Sequence, residues 1–207
     1  MPMRRLAFSL ALTLALAACG AEPVWAPDEA VARAHYVTGE PPSITLFTVV
    51  RKSGNEGAHS GLMIDGSQRV MFDPAGTWQH PTVPERNDLH YGITEQMRKF
   101  YIDYHARETY DVIEHKVFVS PEVAELAIRR AEAYGAVNKA FCGNSVSDIL
   151  KGLPGFESVP RTFFPNKIMR AFAELPGVTT KIHHDGDPDN NSGVLLIQKS
   201  SVSQSGY

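Results

Sequence analysis

The chain has 207 residues, of which 43% are hydrophobic and 21% charged, and its 20 Lys+Arg stand against 23 Asp+Glu for a formal net charge of −3. This length suits one domain or two small ones, and the composition is that of an ordinary globular chain. The charge balance excludes the basic face of a nucleic-acid binder, and 14 prolines and 16 glycines spread between apolar segments exclude low-complexity, collagen-like and coiled-coil chains.

In chain order, residues 1–18 read as a secretory signal, with Arg4 and Arg5 as the positive start and 6–18 as the short apolar stretch. The signal ends in Leu16-Ala17-Ala18-Cys19-Gly20, which resembles the lipobox of bacterial lipoproteins, where the cysteine is acylated and becomes the mature N-terminus. The resemblance implies a lipid on Cys19 that holds the protein stably on a membrane. Gly20 is not the Asp that retains such proteins at the inner membrane, so the implied location is the outer membrane, facing the periplasm. The plainer alternative is an ordinary cleaved signal with Cys19 incidental. The expected organisation is then signal peptide 1–18, lipidated N-terminus and tether 19–42, one domain 43–200 and a polar tail 201–207.

Residues 21–27 read as the tether, and Asp28 opens a short helix to about His35, before Pro41-Pro42 break the chain. The apolar run 44–50 reads as a buried strand. Two short strands, 59–64 and 68–73, flank an Asp65-Gly66 hairpin signal. A long irregular stretch, 74–92, precedes a helix capped by Thr94 with Met97, Tyr101 and Tyr104 on one face. A strand follows at 109–119. Ser120-Pro121 then opens a helix in the order of cap and first-turn proline. Further helices are expected at about 141–151 and 166–175, and two last strands at 178–183 and 193–199 around a polar loop. Strands at both ends with helices between predict an α+β domain whose mostly antiparallel sheet packs against helices.

The two cysteines divide the chemistry. If the lipid takes Cys19, Cys142 is left alone in an oxidising compartment, where an unpaired thiol is a liability unless buried or used. Cys142 falls in the first turn of its helix, with Val146, Ile149 and Leu150 continuing its buried face. A helix N-terminus supplies partial positive charge and unpaired N–H groups, which lower a thiol pKa and stabilise an oxyanion. A Cys nucleophile also needs an imidazole and a group to orient it. Of the eight histidines only His59 opens a predicted core strand, and Asp73 ends the partner strand. Singly these are a strand-edge histidine, a turn-initiating aspartate before Pro74 and a core cysteine.

A histidine opening a strand, then an apolar run, a hairpin and, much later, a cysteine at the start of an amphipathic helix together resemble the circularly permuted papain-like proteins. These form the permuted branch of the NlpC-type peptidase superfamily, which includes lecithin retinol acyltransferase relatives. The likeness spans roughly 44–153 and reaches weakly into 161–165. It implies a papain-like domain in permuted order, with Cys142 as nucleophile, His59 as general base and Asp73 as its orienter. Many members carry Asn directly before the Cys; here Phe141 stands there and Asn138 lies upstream, which leaves the oxyanion partner open. Hairpin register is the internal test. A two-residue Asp65-Gly66 turn pairs His59 with Phe72 and turns Asp73 away, whereas a three-residue loop, 65–67, pairs His59 directly with Asp73.

Other polar clusters read blandly. The loop 183–191 starts with the Asp spacing of a calcium loop but lacks its central Gly and bidentate Glu, so it reads as a solvated hairpin loop. Asp103, His105, Glu108 and His115 match no zinc spacing and read as a polar helix end. Arg129-Arg130 reads as a solvated helix face. The sequence thus points to no metal and no cofactor, and to no nucleic-acid partner. The expected function is a lipid-anchored envelope cysteine hydrolase or acyltransferase acting on amide or ester bonds, in a peptidoglycan peptide or an acyl lipid. The alternative is a non-enzymatic envelope lipoprotein that binds a protein or cell-wall partner.

Overall fold

The computed structural model describes residues 20–204; the signal segment and Cys19 lie outside these residues. Strand β1 (Ser43–Arg51) is buried at every position but its last, because it lies inside a sheet with helices on both faces. It pairs antiparallel with β2 (Glu56–Asp65) on one side and β6 (Tyr110–Phe118) on the other. With β3 (Arg69–Phe72), β4 (Glu85–Arg86), β5 (Leu89–Tyr91) and β7 (Thr179–His183) these form a seven-stranded antiparallel sheet in the order β4-β5-β3-β2-β1-β6-β7. The fold is therefore α+β, as the sequence predicts. Among the described residues no helix is long and apolar enough to cross a membrane.

One face of the sheet carries α3 (Pro121–Tyr134), α4 (Cys142–Lys151) and α5 (Pro165–Ala173), whose Ala127, Ile128, Ile149, Leu150, Ile168 and Phe172 pack on Ile44, Leu46, Leu62 and Ile64. Each buried Leu, Ile or Phe contributes about 1.5–3 kcal/mol. The other face carries α2 (Glu95–His105), whose Met97, Tyr101, Ile102 and Tyr104 cover Phe47, Met63 and Met71. Thr94 caps α2 by accepting from the Met97 N–H, and Ser120 caps α3 by accepting from Val123, both as expected.

The hairpin follows neither simple register. Its closing pair is Asp65 with Arg69, so the loop has three residues, 66–68, displaced one position from the expected three-residue turn. Burial on both faces explains the choice: Leu62 and Ile64 must share one core with Val70 and Phe72, and a two-residue turn would invert β3. The buried Arg69 guanidinium fixes the shift by pairing with Asp65 at 2.6 Å and with Glu95. Continued by one step, this register sets Asp73 opposite Gly61, not opposite His59, yet on the same face as His59.

Five other expectations change. The 193–199 segment is not a strand: a 3₁₀ turn leads into α6 (Val194–Gln204), which packs on α2 through Gln198, so helix also replaces the start of the expected polar tail. Residues 21–27 are docked and are no free tether; Ala26 donates to the Glu85 carbonyl and the Trp25 ring lies 4.6 Å under the Arg86 guanidinium, ahead of α1 (Asp28–Arg33). The 74–92 stretch holds β4 and β5, strands too short to show a period. Arg130 is no solvated residue, since it donates to the Asp148 and Ile149 carbonyls of α4. The 183–191 loop is likewise anchored, Asp189 accepting from the Thr109 N–H and hydroxyl.

Candidate active site

Strand β3 stops at Phe72, opposite Leu62, so β2 runs on from Gly61 back to Glu56 without a β3 neighbour. The N-terminus of α4 fills that opening. Cys142 is the first residue of the helix, and its sulfur lies beside the backbone N–H groups of Ser60 and Gly143. The capping position, Phe141, has no side-chain acceptor, which leaves the first N–H groups of α4 available at the sulfur. Gly143 is required for closure: a Cβ there would lie 2.6 Å from the Phe163 carbonyl oxygen. Gly57 plays the same part on β2, where a Cβ would meet Pro165 and Asn166 at the start of α5.

His59 lies between the sulfur and Asp73. Its Nε2 stands 2.6 Å from Asp73 Oδ1, with side-chain exposures of 16% and 0%. With Nε2 engaged, Nδ1 is the nitrogen left for the Cys142 sulfur, which lies near enough to raise the ring's pKa. The structure thus brings Cys142, His59 and Asp73 together. Tyr101 donates its hydroxyl to the same Asp73 oxygen at 2.8 Å. Gly61 makes this possible, because a Cβ at 61 would collide with that hydroxyl. The His105 ring stacks parallel on His59 with centroids 5.5 Å apart, held by a 2.8 Å contact from its Nδ1 to the Tyr101 carbonyl.

The electrostatics follow from this packing. Burial alone would lower the His59 pKa, but the Asp73 carboxylate overcomes it and, with the sulfur, holds the ring at about 10. Burial would raise the Cys142 thiol; hydrogen bonding and charge from His59 and the two N–H groups bring it below its ordinary value. Burial would also raise Asp73, yet the neighbouring His59 cation keeps it well below the usual carboxylate range. The arrangement favours a thiolate–imidazolium pair oriented by a carboxylate. Burial drives His105 and His90 down to about 4, so both stay neutral around the charged pair. Burial and the Asp73 charge push the Tyr101 phenol up, which keeps it a donor.

Comparison with family models, curated proteins and solved structures finds no match. The functional reading therefore rests on this geometry.

A groove of about 240 Å³ opens beside His59, walled by Ala75, Gly76, Thr77, Tyr104, His105 and Arg107 among others. The irregular segment after Asp73 borders it. His59, Asp73 and His105 also place ligand atoms within 4.8 Å of one another, close enough to share a metal ion. An imidazolium whose Nε2 serves Asp73 offers no lone pair there, so the thiolate–imidazolium state and a bound metal exclude each other. A second acidic trio, Asp103, Asp185 and Asp187, already has the Arg107 guanidinium on Asp103 and Asp187.

Sequence reasoning did not find Tyr101, His105 or Gly61. His105 follows Tyr101 by one helical turn and so shares its buried face, a signal hidden by reading it as a polar helix end. A glycine inside a strand pattern marks close approach of another group, which here is the Tyr101 hydroxyl.

Proposed function

We propose that this chain is a lipid-anchored envelope cysteine hydrolase or acyltransferase, built on a circularly permuted papain-like fold and acting on amide or ester bonds. The observation that carries the reading is the His59 ring held between the helix-terminal Cys142 sulfur and the fully buried Asp73 carboxylate, 2.6 Å from its Nε2. The order histidine, aspartate, cysteine along the chain supports the permuted form.

The Cys142 thiolate attacks the carbonyl carbon of the substrate, and the carbonyl π pair moves onto oxygen. The unpaired N–H groups at the start of α4 meet that oxyanion. Collapse of the tetrahedral species breaks the C–N or C–O bond, and the His59 imidazolium gives its proton to the leaving amine or alcohol. An acyl thioester remains on Cys142. Neutral His59 then takes a proton from water, or from an acceptor hydroxyl or amine, whose attack on the thioester releases acid or transferred product and restores the thiol proton to the pair. Asp73 stabilises the imidazolium and Tyr101 fixes Asp73. Peptidoglycan peptides and acyl lipids both lie within reach of an anchored enzyme.

The test is muropeptide and lipid profiling of a strain carrying Cys142→Ser, with intact-mass analysis of the wild-type chain for an acyl adduct. Accumulation of one substrate class in the variant supports the reading; identical profiles together with an unmodified, unreactive thiol overturn it. The low exposure of Cys142, 8%, favours a second reading, a non-enzymatic envelope lipoprotein with a core cysteine. A thiol electrophile separates them, because a core cysteine reacts only after unfolding.

A further inference from the structure

Phe141, Phe163 and Phe164 are 42%, 53% and 61% exposed and lie together beside Cys142. The Phe141 and Phe163 rings meet edge to face at 5.2 Å, and the 163–164 backbone passes against Gly143, the neighbour of the nucleophile. A single exposed phenylalanine is ordinary, but three on two adjoining segments at the rim of a site form a contiguous apolar surface.

Cations frame this surface. Lys167 sits 5.0 Å over the Phe164 ring, Lys139 precedes Phe141 by two residues and Arg161 precedes Phe163 by two. Lys139 and Arg161 also pair with Glu22 at 3.6 Å and Asp148 at 2.5 Å. Aromatic rings with flexible cations at their margin suit the boundary of a bilayer, where the rings enter the acyl region and the cations meet anionic headgroups.

The place where the described chain begins selects among occupants. Glu22 pairs with Lys139 at the surface next to the rim, and Cys19 lies three residues earlier, a backbone path of at most about 11 Å. A lipid on Cys19 would therefore enter a membrane on the Phe141 side of the molecule.

We propose that the Phe141–Phe163–Phe164 rim docks on a phospholipid bilayer, set there by the lipid on Cys19, so that the Cys142 side of the molecule faces the membrane surface. This rests on the lipoprotein part of the proposed function. It gives the anchor an orienting role beyond retention and makes acyl-bearing or surface-bound groups the first substrates that Cys142 meets. Docking by three rings and three cations is shallow and reversible, and the anchor keeps it intramolecular.

The test uses the mature lipidated chain in vesicles of phosphatidylethanolamine with one-quarter phosphatidylglycerol. A tryptophan is introduced by Phe163→Trp, and the emission of the unsubstituted chain is subtracted. The expected result is loss of most of the added emission to lipids brominated on the upper acyl carbons, with protection from aqueous iodide. Phe118→Trp, at the far end of β1 from His59, should behave in the opposite way. Quenching of the 163 position by iodide and not by brominated lipid, or equal quenching at both positions, overturns the proposal. Intact mass reads acylation of Cys19 separately: a chain without lipid removes both the anchor and this proposal. Alkylation of Cys142 reads the catalytic thiol by itself, so an inert thiol on a docked rim would defeat the enzyme reading alone.

Discussion

At Gly61 the missing side chain lets the Tyr101 hydroxyl reach Asp73 across β2, and Asp73 in turn holds His59. Gly61→Ala inserts a methyl group into that space, which a packed interior answers by shifting side chains at a cost of about 1–3 kcal/mol. We expect a lower urea midpoint and slower alkylation of Cys142; an unchanged alkylation rate would show that the Tyr101–Asp73 bond does not position His59. The thiol itself has a distinct pH signature. Because His59 lowers the Cys142 pKa and its own stands at about 10, thiolate persists between these values. The rate of iodoacetamide labelling should rise through a thiol pKa below the ordinary cysteine value and level off above it. His59→Ala should restore a rate that rises toward the ordinary cysteine pKa, which a stopped-time mass assay reads directly.

Among elements, the β2–β3 hairpin shows how far sequence reading reached. The two strands were legible from their apolar runs and turn signal, but whether His59 and Asp73 share a face was left open, because 62–64 and 70–72 are apolar throughout and fit either face. The register was not legible, because it turns on the Asp65–Arg69 pair and its Glu95 partner on α2, which no local turn preference encodes. The cysteine helix was legible from Val146, Ile149 and Leu150. The 194–204 helix was not, since an apolar run next to a sheet edge suits either state and its contacts with Phe100 and Asp103 are tertiary. Arg69 supplies an element-scale prediction. Its side chain and that of Asp65 are buried, so Arg69→Ala strands a carboxylate that also accepts from Ser43. Breaking such a pair costs about 3–5 kcal/mol. Equilibrium unfolding should show that loss, and Arg69→Ala combined with Asp65→Ala should recover part of it.

For the whole molecule, the buried histidines set the dependence of stability on pH. His90 and His105 ordinarily titrate at 6.5 but at about 4 when folded, so the unfolded chain binds the extra protons between these values and stability falls as pH drops through that window. His59, raised from 6.5 to about 10, stabilises fully below 6.5 and loses that contribution as pH rises through 10. Cys142, lowered from 9.0, contributes in the opposite sense, with stability present above 9.0 and lost as pH falls through its folded value. Over the range the two share, proton uptake by one cancels release by the other, and urea midpoints of the wild-type chain should be nearly level. Cys142→Ala removes the compensation, so its midpoint should decline from about pH 6.5 toward 10. Parallel profiles for the two chains would show that no proton passes between sulfur and ring.

The two halves of the site belong to different layers. Cys142 arrives on α4, which packs with Val146 and Leu150 on one face of the sheet, whereas His59 shares the other face with Tyr101 and Asp73. They meet only where β3 ends and β2 lies open. Until both layers have closed on the sheet, the chain carries an ordinary, weakly nucleophilic cysteine. Chemical competence is then a late product of folding, and an incompletely folded chain would be shielded from its own reactivity. A short pulse of alkylating agent at successive times of refolding should find Cys142 becoming highly reactive only in the phase that completes tertiary structure.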